Sequence, residues 1–514
     1  MKRLLSLQLI CLIALFLPCF LPCFLPCLTA YSQQKDLKEN PQPAQQAEQD
    51  DRAEYDEWRG SSLGIRIDTR NDGFFVKKVL PQVSDSPLKV GDKILKIESV
   101  DFATMLLPSL AKMLEGTQPE TEVVASVLRD GEELTLSLKT YRKELLDIAT
   151  IVERIQGNQI IKDHLAELDR TEQLATMSER MITAVKNANS PREAYEGINQ
   201  VIDDIGISHT AFVPRETYLQ LTSTNSGEIG LALRRFEIDG KEGYYVVDIK
   251  PGSAAYQQAI LIGDKIEAIN GVEIERSRRL ILAGEEQRYE VFGVAAERDE
   301  SVNFTIKHSS DSPALDTVLT ATRTVSLQDS VLSSAEIIET NDREFAYIRL
   351  WNLMSVRANI ELKKLLADKF ANSDALLLDL RGRGGTLSAV LAVEKTIREL
   401  DIPVVAITDE LTRSAKELLS FRLKKHANVI VIGERTCGAV TAARFTTLPS
   451  GNALMFPAQS SEALSRYTEG VILEGNGVEP DKSINFYEPF CNGRDGLLQS
   501  AIERAVIETE FDLP

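Results

Sequence analysis

The spacing of apolar residues changes several times along the chain, and each change marks a boundary. Leu4 to Leu28 is apolar almost throughout, whereas "YSQQKDLKENPQPAQQAEQDDRAEYDEW", 31–58, has no apolar period. A Gln-, Pro-, Ala- and acid-rich stretch of that kind cannot bury a core, which predicts a disordered tether over 31–59. Then "FFVKKVL" reads as a strand, and "TEVVASVLRDGEELTLSLKT" alternates about Asp130-Gly131, which predicts a hairpin. The period lengthens to a helical one in "ELLDIATIVERIQGNQII", "TEQLATMSERMITAVKNA" and "SPREAYEGINQVIDDIG". Strand patterns return in "YYVVDIK", "SVNFTIKH" and "DTVLTATRTV". Beyond 326 the apolar runs "EFAYIRL", "ALLLDL", "IPVVAIT" and "NVIVIG" alternate with the helical patterns "SVRANIELKKLLADKF", "LSAVLAVEKTIREL" and "SAKELLSFRLKK". Such interleaving predicts an α/β layered domain. The expected organisation is a leader (1–30), the tether (31–59), a β-rich domain (60–142), a helical subdomain (143–225), a second β-rich domain (226–325) and an α/β core (326–514).

The two β-rich segments are copies of one plan. "VGDKILKIE" at 90–98 and "IGDKIEAIN" at 262–270 share Gly-Asp-Lys-Ile, and each lies downstream of a short Gly loop, a strand and a Pro turn. A helical stretch and alternating strands are expected after each. This plan resembles PDZ domains of bacterial proteases. A PDZ domain adds a peptide C-terminus as a strand and holds its carboxylate with backbone N–H groups of the Gly loop. The resemblance implies peptide binding at Leu63, Gly64 and Ile65, and at Ile229, Gly230 and Leu231, with glycine needed for close backbone approach.

Composition narrows the partners. A chain of 514 residues exceeds one core, and 43% apolar with 26% charged residues is a globular composition. A net charge of −19 argues against nucleic acid, whose phosphates need a basic face. Lys2 and Arg3 ahead of the apolar stretch, with "CLTA" ending near Ala30, read as a signal peptide. Pro18, Pro22 and Pro26 disfavour a spanning helix, so membrane attachment is expected only through this segment if it stays uncleaved. Export to a periplasmic or extracellular space follows. Only Cys437 and Cys491 lie beyond the leader, either paired or free. No His, Cys and acidic residues cluster at ligand spacing, so neither metal nor other cofactor is expected.

Candidate chemistry gathers in the last segment. "LLLDLRGRGG", 376–385, ends a buried strand in a Gly-rich turn that lacks both the dinucleotide and the Walker pattern. Bare backbone N–H groups there suit an anion, including a tetrahedral oxyanion. In "TRSAKE", Ser414 with Glu417 reads either as a capping box or as a nucleophile at a helix start. The segments "YIRL", "LLLDLRGRGG", "TRSAKE", "VIGERTCGA" and "GNGVEPD" stand in an order and spacing that resembles the C-terminal processing, or tail-specific, serine peptidases.

The resemblance implies a multidomain α/β protein: two PDZ-like domains, a helical cap subdomain and an α/β/α layered, ClpP/crotonase-like peptidase core. It implies Ser414 as nucleophile and an oxyanion hole from the N–H groups of Ala415 and Gly384 or Gly385. Many members place a general-base Lys where this chain has Ala439, and Lys416 is expected to face away from Ser414 along the helix. The tricorn-type branch uses histidine instead. His209 in "GISHTAF" aligns with its base, with Ser208 and Glu474 orienting the imidazole. Where the family carries Asn this chain has Arg383, able to reshape the oxyanion loop or contact a substrate carboxylate. The reading is an exported serine endopeptidase acting on extended or C-terminal protein segments, as a monomer or an oligomer. The alternative is a non-cleaving PDZ scaffold that binds peptides.

Overall fold

The computed structural model describes residues 61–511 apart from 81–84, 104–106, 223–225, 259, 278, 283–290, 341, 352, 383 and 486–488. The leader, the tether and Arg383 lie outside the described residues. No described helix is long and apolar enough to cross a membrane.

The first β-rich module contains β1 (Ile65–Arg70), β2 (Gly73–Val79), β3 (Lys93–Ile97), β4 (Val100–Asp101), α1 (Leu107–Glu115), β5 (Glu122–Arg129) and β6 (Glu132–Lys139). Its sheet runs β1-β2-β3-β5-β6, with β4 beside β3. The predicted hairpin is there, Arg129 facing Glu132 across Asp130-Gly131, both at positive φ. Alternate residues Val123, Ala125 and Val127 are buried with Ile94 and Ile97 in one cluster.

Four helices follow: α2 (Glu144–Gly157), α3 (Gln159–Glu167), α4 (Glu172–Asn187) and α5 (Pro191–Asp203). Ser190 caps α5 by accepting from the Glu193 amide, and Pro191 fills the first turn, where no N–H is needed. Ile148, Ile151 and Ile155 of α2 pack with Met177, Met181 and Ile198. Burial pushes the Glu144 carboxyl up to about 7 and that of Asp147 up to about 6. An unfolded Glu144 ionises near 4.5, so stability falls as pH rises from there to about 7 and the penalty is constant above. Glu144→Gln is therefore expected to leave stability near pH 4 little changed. At pH 8 it should add about 3 kcal/mol, read from urea denaturation at the two pH values.

After β7 (Ala211–Val213) and α6 (Arg215–Thr222) comes the second β-rich module. It holds β8 (Ser226–Glu228), β9 (Leu231–Ile238), β10 (Lys241–Ile249), β11 (Lys265–Ile269), β12 (Val272–Glu273), β13 (Leu280–Leu282), β14 (Val291–Glu297), β15 (Ser301–Lys307), β16 (Leu315–Thr320) and β17 (Thr322–Arg323). The sheet order is β16-β15-β11-β10-β9-β14-β8-β17. Here the structure corrects the sequence reading. The helical stretch expected after "IGDKIEAIN" is a 3-10 turn at Ile274–Arg276 followed by β13 and β14. The strand β9, where the resemblance implies peptide binding at Ile229, Gly230 and Leu231, is paired on one edge by β14. Backbone pairing between these segments overrides their local charge-rich pattern.

The remaining segment comprises α7 (Leu327–Ser334), β18 (Glu336–Thr340), β19 (Arg343–Arg349), α8 (Arg357–Ala367), β20 (Ala375–Asp379), α9 (Leu387–Arg398), β21 (Val404–Thr408), α10 (Ala415–Leu423), β22 (Val429–Gly433), β23 (Ala442–Thr447), β24 (Ala453–Gln459), α11 (Ser461–Ser465), β25 (Lys482–Ser483) and α12 (Gly496–Phe511). The central sheet is β18-β19-β20-β21-β22-β25, parallel from β19 to β25. Strand alternation sends Leu376 and Leu378 to the face packed by Leu362, Val393 and Leu419. Leu377, Val405 and Ile407 point to the other face, against Leu497, Ala501 and Ala505 of α12. The alternation predicts an α/β layered domain, and its α/β/α order is the one the resemblance implies. A small sheet, β23-β24-β7, joins it to the helical segment. Cys437 and Cys491 are both buried, and no disulfide joins them.

Candidate active site

The site lies where β21 gives way to α10. Ser414 sits just ahead of Ala415, the first residue of α10, at φ 59° and ψ −131°. A non-glycine residue in the left-handed region is strained, and such strain persists only where surrounding contacts enforce it. They do so here. The Ser414 amide donates to the Ala439 carbonyl at 2.8 Å and to Glu417 Oε1 at 3.1 Å. The fully buried Glu417 carboxylate also accepts from Thr436 Oγ1 at 2.6 Å and from the amides of Gly438 at 2.6 Å and Ala439 at 2.8 Å. The carboxylate half of the predicted capping box thus also ties α10 to the "RTCGA" loop, a role the local pattern did not reveal.

The glycine turn after β20 comes up against Ser414. A Cβ on Gly384 would stand 2.5 Å from Ser414 Cβ and 3.2 Å from its Oγ, so no side chain fits there. Gly385 is equally crowded, its Cβ position lying 2.4 Å from Leu353 Cβ. Gly384 thus lies against Ser414, which directly precedes Ala415 at the positive end of α10.

The residues from the helical segment also converge. β7 pairs with β24, Ala211 facing Met455, and so draws the preceding Ser208-His209 onto the core. Ser208 Oγ donates to Glu474 Oε2 at 3.1 Å and lies 3.0 Å from His209 Nδ1. The Ser208 amide donates to Glu474 Oε1 at 2.9 Å. With the hydroxyl proton on the Glu474 side, the Ser208 oxygen accepts from Nδ1–H, and Nε2 becomes the basic nitrogen. Glu474 Oε2 further accepts from the amides of Val440 and Thr441, each at 2.9 Å. Val440 adjoins Ala439, whose carbonyl takes the Ser414 amide, so one run of contacts joins Ser414 to His209. The other histidines lie elsewhere: His308 on Asp264 at 2.8 Å and His426 on Glu394 at 3.3 Å, with the His164 Nε2 buried near Gly206.

Lys416 does not face solvent. It is fully buried, and Nζ donates to the carbonyls of Trp351 and Arg381, both at 2.9 Å. Its ammonium is thus held against the backbone at the base of the glycine turn. Burial pushes the Lys416 ammonium down to about 7. Lys416→Met would leave the Trp351 and Arg381 carbonyls without this donor and is expected to lower stability by about 1–3 kcal/mol, read from urea denaturation.

Below the turn lies an ion network absent from the sequence reading. Arg381 donates to Asp379 (Nη2 to Oδ2, 2.7 Å) and to Asp495 (Nη2 to Oδ2, 2.6 Å). Arg349 lies 3.6 Å from Asp379 and grips Asp248 of β10 through two bonds of 2.7 Å. Tyr347 donates to Asp379 at 2.8 Å.

The comparisons bear on the same segments. Residues 394–484 match peptidase family S41, and residues 61–140 and 219–280 each match PDZ domains. Similarity to the S41 peptidase family thus covers part of the α/β segment, and similarity to PDZ domains the two β-rich modules. The chain is 28% identical over 291 residues to a carboxyl-terminal-processing protease of Picosynechococcus sp., covering 50% of this chain and 66% of that one. It is 22% identical over 328 residues to the chloroplastic carboxyl-terminal-processing peptidase 1 of Arabidopsis thaliana, covering 57% of this chain and 63% of that one. The chain thus spans just under two thirds of these relatives' lengths. Among solved structures, a photosystem II D1 C-terminal processing protease overlaps 66% of this chain and 93% of its own, at 18% identity and a TM-score of 0.39.

Proposed function

We propose that this protein is an exported serine endopeptidase that captures peptide or protein tails through PDZ binding and cleaves them at Ser414. The support comes from the run of contacts Ser414–Ala439/Val440–Glu474–Ser208–His209. His209 takes the Ser414 proton as Oγ attacks the scissile carbonyl. The oxyanion is met by the N–H groups of Ala415 and Gly384 or Gly385. His209 then passes that proton to the leaving amine, and water hydrolyses the acyl-enzyme by the reverse sequence. Ser208 and Glu474 hold the imidazole with Nδ1 protonated. Export rests on the apolar leader from Leu4 to Leu28.

A fluorophosphonate probe tests the reading directly. It should label the wild type and fail to label Ser414→Ala or His209→Ala. A folded wild type that stays unlabelled while it binds peptides would leave the non-cleaving scaffold. Glu474→Ala is expected to retain labelling at a rate lowered about 10²- to 10⁴-fold, because the base loses its orientation rather than its identity.

A further inference from the structure

The two PDZ modules differ at the place where PDZ domains take a ligand. Strand addition needs a sheet edge with unpaired N–H and C=O groups. In the first module β1 follows Gly64 and, among the described residues, pairs with β2 alone. The Ser61 amide donates to the Leu114 carbonyl near the C-terminal end of α1, at 2.8 Å. The Gly64 loop, β1 and α1 therefore border one slot. Ile65 and Ile67 on one side and Met113 on the other are only partly buried against the module's core.

The second module has the equivalent strand, β9, after Gly230, but both of its edges are paired. β10 lies on one side. On the other, β14 runs antiparallel, with Val291 facing Arg234 and Phe292 facing Leu233. β14 then passes Gly230 and continues along β8, Ala295 facing Glu228 and Glu297 facing Ser226. β13 covers its far edge. Where the first module places α1 between β4 and β5, the second places β13 and β14 between β12 and β15. The match to PDZ domains ends at 280, where β13 begins. Phe292 and Val294 are buried in the module's own core. An antiparallel strand along β9, passing the Gly loop, stands where a peptide would.

We propose that β14 is a built-in occupant of the second PDZ slot, and that this protein captures peptide tails in the first module, between β1 and α1. The ligand class is an extended peptide with a free α-carboxylate and an apolar last side chain, its carboxylate at the Gly64 loop. The assignment rests on the reading of the PDZ modules as peptide-capturing, and is independent of Ser414 chemistry, which the fluorophosphonate probe reads separately.

The test uses the full chain as Ser414→Ala, to prevent cleavage, and a fluorescein-labelled ten-residue peptide ending in Leu-Val with a free carboxylate. Arg234→Cys/Val291→Cys places a cysteine pair across β9 and β14. Oxidation should close a disulfide and leave the affinity by fluorescence anisotropy within about twofold of the reduced form. Ile65→Glu and Met113→Lys, on opposite walls of the first slot, should each weaken binding at least about tenfold, with thermal melts checking that the variants fold. Amidating the peptide should weaken binding similarly. A cysteine pair that will not oxidise, a tenfold loss on oxidation, or binding indifferent to both first-module changes would each overturn the proposal. So would absence of binding to the unmodified modules.

Discussion

Ser414→Ala is expected to lower kcat/KM for peptide cleavage by at least about 10⁴-fold, and His209→Ala by a similar factor. The double variant should be scarcely worse than either single one, because nucleophile and base act as a unit and the second loss removes nothing the first has left. The residual rate belongs to the oxyanion donors and substrate binding, which neither change touches. The decisive measurement is the comparison of all three variants in one assay. Strictly additive losses of the two singles would show that His209 does not serve Ser414, and would return its ring to a structural role beside Ser208 and Glu474.

Asp379→Ala should produce the largest loss of stability, about 3–5 kcal/mol in urea denaturation. Asp379 is fully buried at the end of β20 and lies between Arg381, Arg349 and the Tyr347 hydroxyl. Burial alone would raise its carboxyl, but the charges of Arg381 and Arg349 hold it well below the usual carboxylate range. A depressed carboxyl contributes stability above its unfolded pKa near 3.8 and loses it as pH falls toward the folded value. The wild type should therefore lose stability on acidification below about pH 4, and Asp379→Ala should lose less. Because Arg381 also carries the carbonyl held by Lys416, the variant should in addition cleave more slowly.

Much of the site was legible because its parts are local patterns. The "VGDKILKIE" and "IGDKIEAIN" repeats marked two modules, and the apolar run ending in Gly384-Gly385 marked a strand before a crowded turn. Ser208, His209 and Glu474 were reached by resemblance and do meet. What escaped the sequence depends on contacts between distant segments. Glu417 looked complete as a cap, and only folding brings Thr436, Gly438 and Ala439 to its carboxylate. The helix angle of Lys416 does not say whether its side chain meets water or another chain segment, and folding buries it against the Trp351 and Arg381 carbonyls. The pairing of Arg349 with Asp248 spans two modules, and no spacing rule marks it. The filled slot beside β9 escaped for the same reason: strand partners are chosen by tertiary packing, and a charged stretch does not announce them.

The pairing of β7 with β24 has a consequence for biogenesis. Ser208-His209 are synthesised well before the strand that draws them onto the core, Ala453–Gln459, and before Glu474. A nascent polypeptide that already carries Ser414 still lacks the partner strand for its histidine. Chains stalled before Ala453 should therefore leave Ser208 and His209 without the pairing that brings them to Glu474.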